Sequence, residues 1–248
     1  MSRQVMPRVY ELIDLIEDRS DPSAYFQNFD VSIRDEPSKA KVWLAREREL
    51  QRLDLKSWSF LRSEARPYLT SRHASRGWEQ LISILNQARA YNHLLDEGYQ
   101  PISFIPRASS DGIKTPDLLG VLNGKNVLCE VKTINISEVE ANRRNSGGVV
   151  SSMNLLTSGF FDKLSSDLLA AKKQMESYDN SVDVRRIVFI VPNFDDFLAE
   201  YKKNYFVQID QHLAIKPIHG LDIVFYNQRT AFHCQVAMQN AAVVNEPG

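Results

Sequence analysis

Asn123-Gly124 stands between two apolar-rich runs, LLGVL and VLCEV, and constrains the chain more tightly than any other dipeptide in it. These two residue types best tolerate the positive φ angles at both central positions of a type I′ turn, whose twist matches that of the strands it joins. A two-residue hairpin loop is the expectation. With that loop, Leu122 pairs with Lys125, and counting outward places Asp117 directly opposite Glu130. Side chains alternate faces along a strand, so Glu130 and Lys132 share one face and Asp117 joins them from across the ladder, with Cβ atoms roughly 5 Å apart. A bulge at Gly120 would shift this register while leaving the groups near one another.

Two carboxylates directly opposite one another destabilise a strand pair, so something must compensate. A hard divalent cation does so, because carboxylate oxygens are the ligands that Mg²⁺ and Mn²⁺ prefer. A lysine one pleat further on can then orient a water or offset charge on a phosphoryl group under attack. The bland alternative is a solvated hairpin face carrying a surface Glu-x-Lys.

The bulk properties bound the setting. A chain of 248 residues with 43% hydrophobic content can bury a substantial core. No run approaches the ~18 apolar residues of a membrane span, and the beginning, MSRQVMPRVYEL, lacks an apolar signal core. No membrane partner and a cytoplasmic location are therefore expected. Cys129 and Cys234 are too few for a disulfide scaffold or a thiolate zinc site, and Cys129 faces away from Glu130, into core packing. The five histidines, His73, His93, His212, His219 and His233, show no ligand spacing. Net charge is −1 and pI about 6.5, so the whole chain is no general polyanion binder. Residues 39–76 are locally basic, with ten Lys and Arg from Lys39 to Arg76. Such a segment can track a phosphate backbone, or be a helical face paired with acidic neighbours.

Along the chain, Pro7 to Asp18 reads as a short amphipathic helix with proline in its first turn. Ser20 to Ser38 reads as irregular, with Tyr25, Phe26 and Phe29 as anchors, and Lys39 to Ser63 reads as helical. Residues 1–75 thus form an α-helical N-terminal extension. A stronger helix follows Trp78 and stops at Gly98. Tyr99 to Pro106 is a short strand, assigned to an edge by its prolines, before the polar turn Arg107 to Lys114. Arg107 and Lys114 flank the carboxylates and can touch phosphates or be ordinary surface charges. Residues 135–158 are too long for a tight connection, and Arg143 and Arg144 before Gly147-Gly148 would suit a substrate-gripping flap or a disordered segment. Gly159 to Tyr178 is a helix whose core face is expected to run Phe161, Leu164, Leu168, Ala171, Met175 and Tyr178. Arg185 to Pro192 contains the apolar run of a strand covered on both faces. Asn193 can cap the helix DDFLAEYKKNYF, and Leu221 to Tyr226 is another strand, followed by a candidate strand at Ala231 to Met238. Residues 76–248 form the core domain of an α/β protein.

Pro116-Asp117 followed by Glu130-Val131-Lys132 on the next strand resembles the PD-(D/E)xK, or restriction-endonuclease-like, nuclease superfamily. The element order helix, three strands, helix, strand from Trp78 onward agrees with that family, over roughly the last two-thirds of the chain. The resemblance implies an αβββαβ core with a mixed central sheet flanked by helices, and Mg²⁺-dependent hydrolysis of phosphodiester bonds, in DNA before RNA, with Mn²⁺ able to substitute. It implies that Asp117, Glu130 and the Val131 carbonyl bind the metal and that Lys132 orients the attacking water. It adds Glu79, from the first turn of the preceding helix, as a further metal ligand and catalytic acid. Gln174 and Tyr178 form a Gln-x-x-x-Tyr pattern similar to that of the helicase-associated exonuclease branch, which gives Gln174 a role in orienting phosphate or water. A homodimer is compatible with the family. The alternative function is a nucleic-acid-binding or assembly module that keeps the fold without cleaving.

Overall fold

A computed structural model of the chain describes residues 3–74, 77–107, 114–134, 155–192, 199–227 and 230–233. The proposed flap with Arg143, Arg144 and Gly147-Gly148 lies outside the described residues, as do Asn193 and Cys234. The chain divides into two compact units, Met1–Asp96 and Glu97–Gly248.

The first unit is helical. α1 (Pro7–Ile13), α2 (Phe29–Asp35), α3 (Pro37–Gln51), α4 (Leu55–Ala65) and α5 (Glu79–Asp96) follow in order, with a short 3-10 turn at Arg66–Tyr68. The first helix is shorter than its periodicity suggests, and its open N-terminal amides are satisfied from another helix. Glu47 on α3, 2% exposed, accepts from the Val9 N–H at 2.9 Å and the Arg8 N–H at 3.2 Å. Part of the segment expected to be irregular forms α2, whose Phe29 joins Tyr25, Phe26 and Trp43 in an edge-to-face cluster. The helical run after Lys39 is two helices, because Asp54 stops one and caps the next by accepting from the Ser57 N–H at 2.7 Å.

The core domain was expected to open at residue 76, but α5 belongs to the first unit. Polar side chains account for this. Arg46 donates to the Leu85 carbonyl and the Asn86 side chain, each at 3.0 Å, Asn92 donates to the Glu49 carbonyl at 2.9 Å, and Tyr91 reaches Asp54 at 3.1 Å. Several cations of the basic segment pair with acids of the same unit. Arg46 pairs with Glu49, Arg52 with Asp96, Arg62 with Glu11 and Lys39 with Glu36, so much of that charge is neutralised by acids within the unit.

The second unit is a mixed six-stranded sheet in the order β1-β2-β3-β4-β5-β6. Its strands are β1 (Ile102–Phe104), β2 (Leu118–Leu122), β3 (Lys125–Ile134), β4 (Arg185–Pro192), β5 (Asp222–Asn227) and β6 (Thr230–His233). The α/β class and the mixed sheet are as expected. β1, β2 and β3 are antiparallel neighbours, whereas β3, β4 and β5 run parallel, joined through α6 (Ser158–Tyr178) and α7 (Ala199–Ile215). Two successive crossovers stepping the same way across a sheet put both helices on one face, since such connections are right-handed. Leu164, Leu168, Ala171 and Met175 of α6 and Ile209 and Leu213 of α7 accordingly share one cluster with Leu128, Val188, Ile190, Ile223 and Phe225 of the sheet. Between the helices, the Ser165 hydroxyl and a His212 ring nitrogen are 2.9 Å apart, and Phe161 stacks on His212. Ile187 to Val191 are buried throughout, as a strand covered on both faces requires. α7 runs well past the segment assigned from sequence, to Ile215, and no helix among the described residues is long and apolar enough to cross a membrane.

Asn123 and Gly124 have φ values of 52° and 77°, as a type I′ turn demands. The register is the one counted from the sequence, from Leu122 opposite Lys125 to Leu118 opposite Cys129, with no bulge at Gly120. Glycine is needed at position 120 for another reason: a Cβ there would lie 3.0 Å from Val127 Cγ1 and 3.3 Å from Tyr99 Cβ. Gly120→Ala should therefore lower the stability of the full chain by about 1–3 kcal/mol, read as a reduced urea midpoint at unchanged slope.

Candidate functional site

The β3 strand carries the site on one face. Leu128, Glu130, Lys132 and Ile134 alternate with Cys129 and Val131, and Leu128 and Ile134 already pack into the α6 cluster. Glu130 and Lys132 therefore look toward α6. Cys129 points the other way and is fully buried, and burial pushes its thiol well above the ordinary value, which suits core packing and not reactivity.

Glu130 is 5% exposed and has a partner on each oxygen. Lys132 Nζ donates to its Oε1 at 2.7 Å, and Gln174 Nε2 on α6 donates to its Oε2 at 2.8 Å. The same Gln174 amide donates to the Thr115 carbonyl at 2.7 Å, two residues before Asp117. One amide thus ties a helix to both strands that bear carboxylates. Nothing in the sequence marks Thr115 for this part, because it accepts through its main chain. Tyr178, the other member of the Gln-x-x-x-Tyr pattern, is 45% exposed at the last position of α6.

Asp117 lies at a bend immediately before β2, one residue beyond the last paired position. Its N–H donates to the Cys129 carbonyl at 3.1 Å and its own carbonyl accepts from the Ile105 N–H at 2.9 Å. Its carboxylate turns back onto β3, where Oδ2 accepts from the Val131 N–H at 2.7 Å. The N–H and C=O of a strand residue point to the same edge, so the Val131 carbonyl oxygen also lies on the side of Asp117. Asp117, Glu130, Val131, Lys132 and Gln174 are thus brought together within one unit. Glu79, in the first turn of α5, belongs to the other unit.

The charges in this group work against each other. Burial, and then the Glu130 charge, push the Asp117 carboxyl up to about 8, although the Val131 N–H and the Lys132 and Arg107 charges pull it down. Burial also raises Glu130, opposed by Lys132 and by hydrogen bonding with Asp117. Repulsion between the two buried carboxyls favours the protonated form of the pair, and a cation beside them relieves it. Among the described residues no group of three or more His, Cys, Asp or Glu gathers as a metal cluster, so the acids at hand are this pair. Chemically the group offers hard oxygen ligands on one side and an ammonium on the other.

Comparison with protein-family models, with curated proteins and with solved structures finds no significant match to this chain.

Two outcomes follow from the geometry. A carboxyl whose folded-state pKa is raised takes up a proton on folding, so stability falls as pH rises from the unfolded value of about 4 toward 8. In chelator, the melting temperature should decline across that window, and Asp117→Asn, which keeps an acceptor for the Val131 N–H, should flatten the decline. Gln174→Leu removes two bonds and leaves the buried Glu130 oxygen and the Thr115 carbonyl short of a donor, which should cost about 1–3 kcal/mol in denaturant unfolding.

Proposed function

We propose that the unit Glu97–Gly248 is a metal-dependent nuclease of the restriction-endonuclease-like kind, hydrolysing phosphodiester bonds in DNA. The observation that carries this reading is the meeting of the Asp117 and Glu130 carboxyls on one sheet face, with Lys132 bonded to Glu130 and the Val131 peptide between them. Three antiparallel strands, a crossover helix and a parallel strand surround it, which supports the reading, while the helix expected to open such a core, α5, belongs to the other unit.

The residues present fit a hard divalent ion. Mg²⁺ takes one or two carboxylates and completes its shell with carbonyl, water and phosphate oxygens, and Asp117, Glu130 and the Val131 carbonyl supply the protein's share. When bound, such an ion neutralises charge on the phosphate and makes a coordinated water easier to deprotonate; Mn²⁺ has the same ligand preferences.

The chain's own residues do the rest. Asp117 is aimed by the Val131 N–H, and Glu130 by Gln174. Lys132 holds its ammonium beside Glu130, where it can position the attacking water and offset negative charge on the phosphoryl oxygens. Gln174, committed to Glu130 and Thr115, acts as a positioning residue. Glu79, expected as a further ligand, stands in the other unit.

Cleavage of single-stranded, duplex and branched DNA and of RNA in Mg²⁺ or Mn²⁺ tests the assignment. Asp117→Ala and Lys132→Ala should each reduce the rate at least about 100-fold; a rate equal to wild type overturns it. Mn²⁺ at about 100 times its Kd should stabilise the wild-type chain by roughly 2.7 kcal/mol, a gain that Asp117→Ala should lose.

A further inference from the structure

We infer that Arg107 is a phosphate-gripping residue of the same site, so that the substrate's backbone lies across the β1 edge of the hairpin as well as over β3. This rests on the nuclease reading for the identity of the ligand, and on separate geometry for the place of the residue.

That geometry is a matter of register. β1 pairs with β2 as Phe104 opposite Leu118, and the pairing runs on past the end of β1, because the Ile105 N–H donates to the Asp117 carbonyl at 2.9 Å. The next link is the Thr115 hydroxyl donating to the Pro106 carbonyl at 3.1 Å. Counting on, Ile105 stands opposite Asp117 and Arg107 opposite Thr115. Ile105 and Leu119 pack against the α6 cluster, so the odd-numbered positions here face α6, as Glu130 and Lys132 do. Arg107, two residues past Ile105 and next to the Thr115–Pro106 contact, therefore leaves the end of β1 beside Asp117.

Its charge reaches the pair, since it acts on Asp117 alongside the Lys132 charge, and its side chain is exposed. The site then reads across this end of the sheet as a cation from the segment after β1, an acid from the bend before β2, and an acid and a second cation from β3. A phosphodiester needs that alternation: a metal held at the acids for the bond under attack, and a planar donor fork to hold the non-bridging oxygens of the strand beside it. Arginine suits the second task because its guanidinium stays charged and binds phosphate in two-point fashion.

Binding of the full chain to short duplex DNA in Ca²⁺, titrated across salt concentrations, tests this. Arg107→Ala should weaken binding about tenfold and make the plot of log affinity against log salt shallower by about one phosphate contact. Arg107→Lys should keep the slope while losing part of the affinity, and Lys125→Ala, at the turn end of the hairpin, should match wild type. The Mn²⁺-induced thermal shift of Arg107→Ala should remain, which separates loss of phosphate contact from loss of the metal site. Wild-type affinity and slope in Arg107→Ala overturn the inference. Absence of a Mn²⁺ shift and of cleavage in wild type would instead remove the nuclease reading, and the salt slope of Arg107→Ala would still decide whether this residue holds phosphate.

Discussion

Two buried carboxyls that repel one another are the constraint around which the second unit is arranged. Left alone, Asp117 and Glu130 would each prefer water. The chain keeps them in place with a main-chain N–H for one and a lysine and an amide for the other, and burial raises both carboxyls. Each of these partners comes from a different structural source: the adjoining strand, the same strand two residues on, and a helix. Removing any one leaves charge less compensated, so the group behaves as a unit and not as a set of separable contacts. Such poise is unfavourable for stability and useful for binding a cation, which relieves the repulsion only in the folded state.

β3 makes this possible because it pairs in two senses within one sheet. On one side it pairs antiparallel with β2, which needs only a two-residue turn and so sets the position of Asp117 by simple counting. On the other it pairs parallel with β4, which needs a crossover and so brings α6 over the face that carries Glu130. The site lies past the end of the β2 ladder, where the Val131 N–H has no strand partner to take and Asp117 supplies the acceptor in its place.

What could be read from the sequence divides along the same line. The hairpin register, the face shared by Glu130 and Lys132, the buried β4 and the core face of α6 were all legible, because each depends on local turn chemistry or on a two- or 3.6-residue period. The site reading was less complete. Gln174 could be singled out only by a four-residue pattern, and its bonds to Glu130 and to the Thr115 carbonyl depend on where a crossover sets a helix down. The attachment of α5 escaped, because apolar periodicity gives a helix a buried face without saying which neighbours bury it. Arg46, Asn92 and Tyr91 decide that, through hydrogen bonds that an apolar period does not record. The split at Asp54 was missed for the opposite reason: a capping aspartate is a local signal, but it sits inside a run whose apolar residues continue on both sides.

The two-residue turn has a consequence for how this chain can change. β3 is held in phase by α6 on one face and by β4 along one edge, so a residue gained or lost between Leu122 and Lys125 must be absorbed by β2. A slip of one sends every β2 side chain to the opposite face, turning Asp117 away from Glu130 and a neighbour toward it. The carboxyl pair therefore sets a parity rule on a loop that lies at the far end of the hairpin and touches neither acid. Substitutions at Asn123 and Gly124 that preserve the turn should drift freely in such a protein, whereas single-residue changes in its length should be rare.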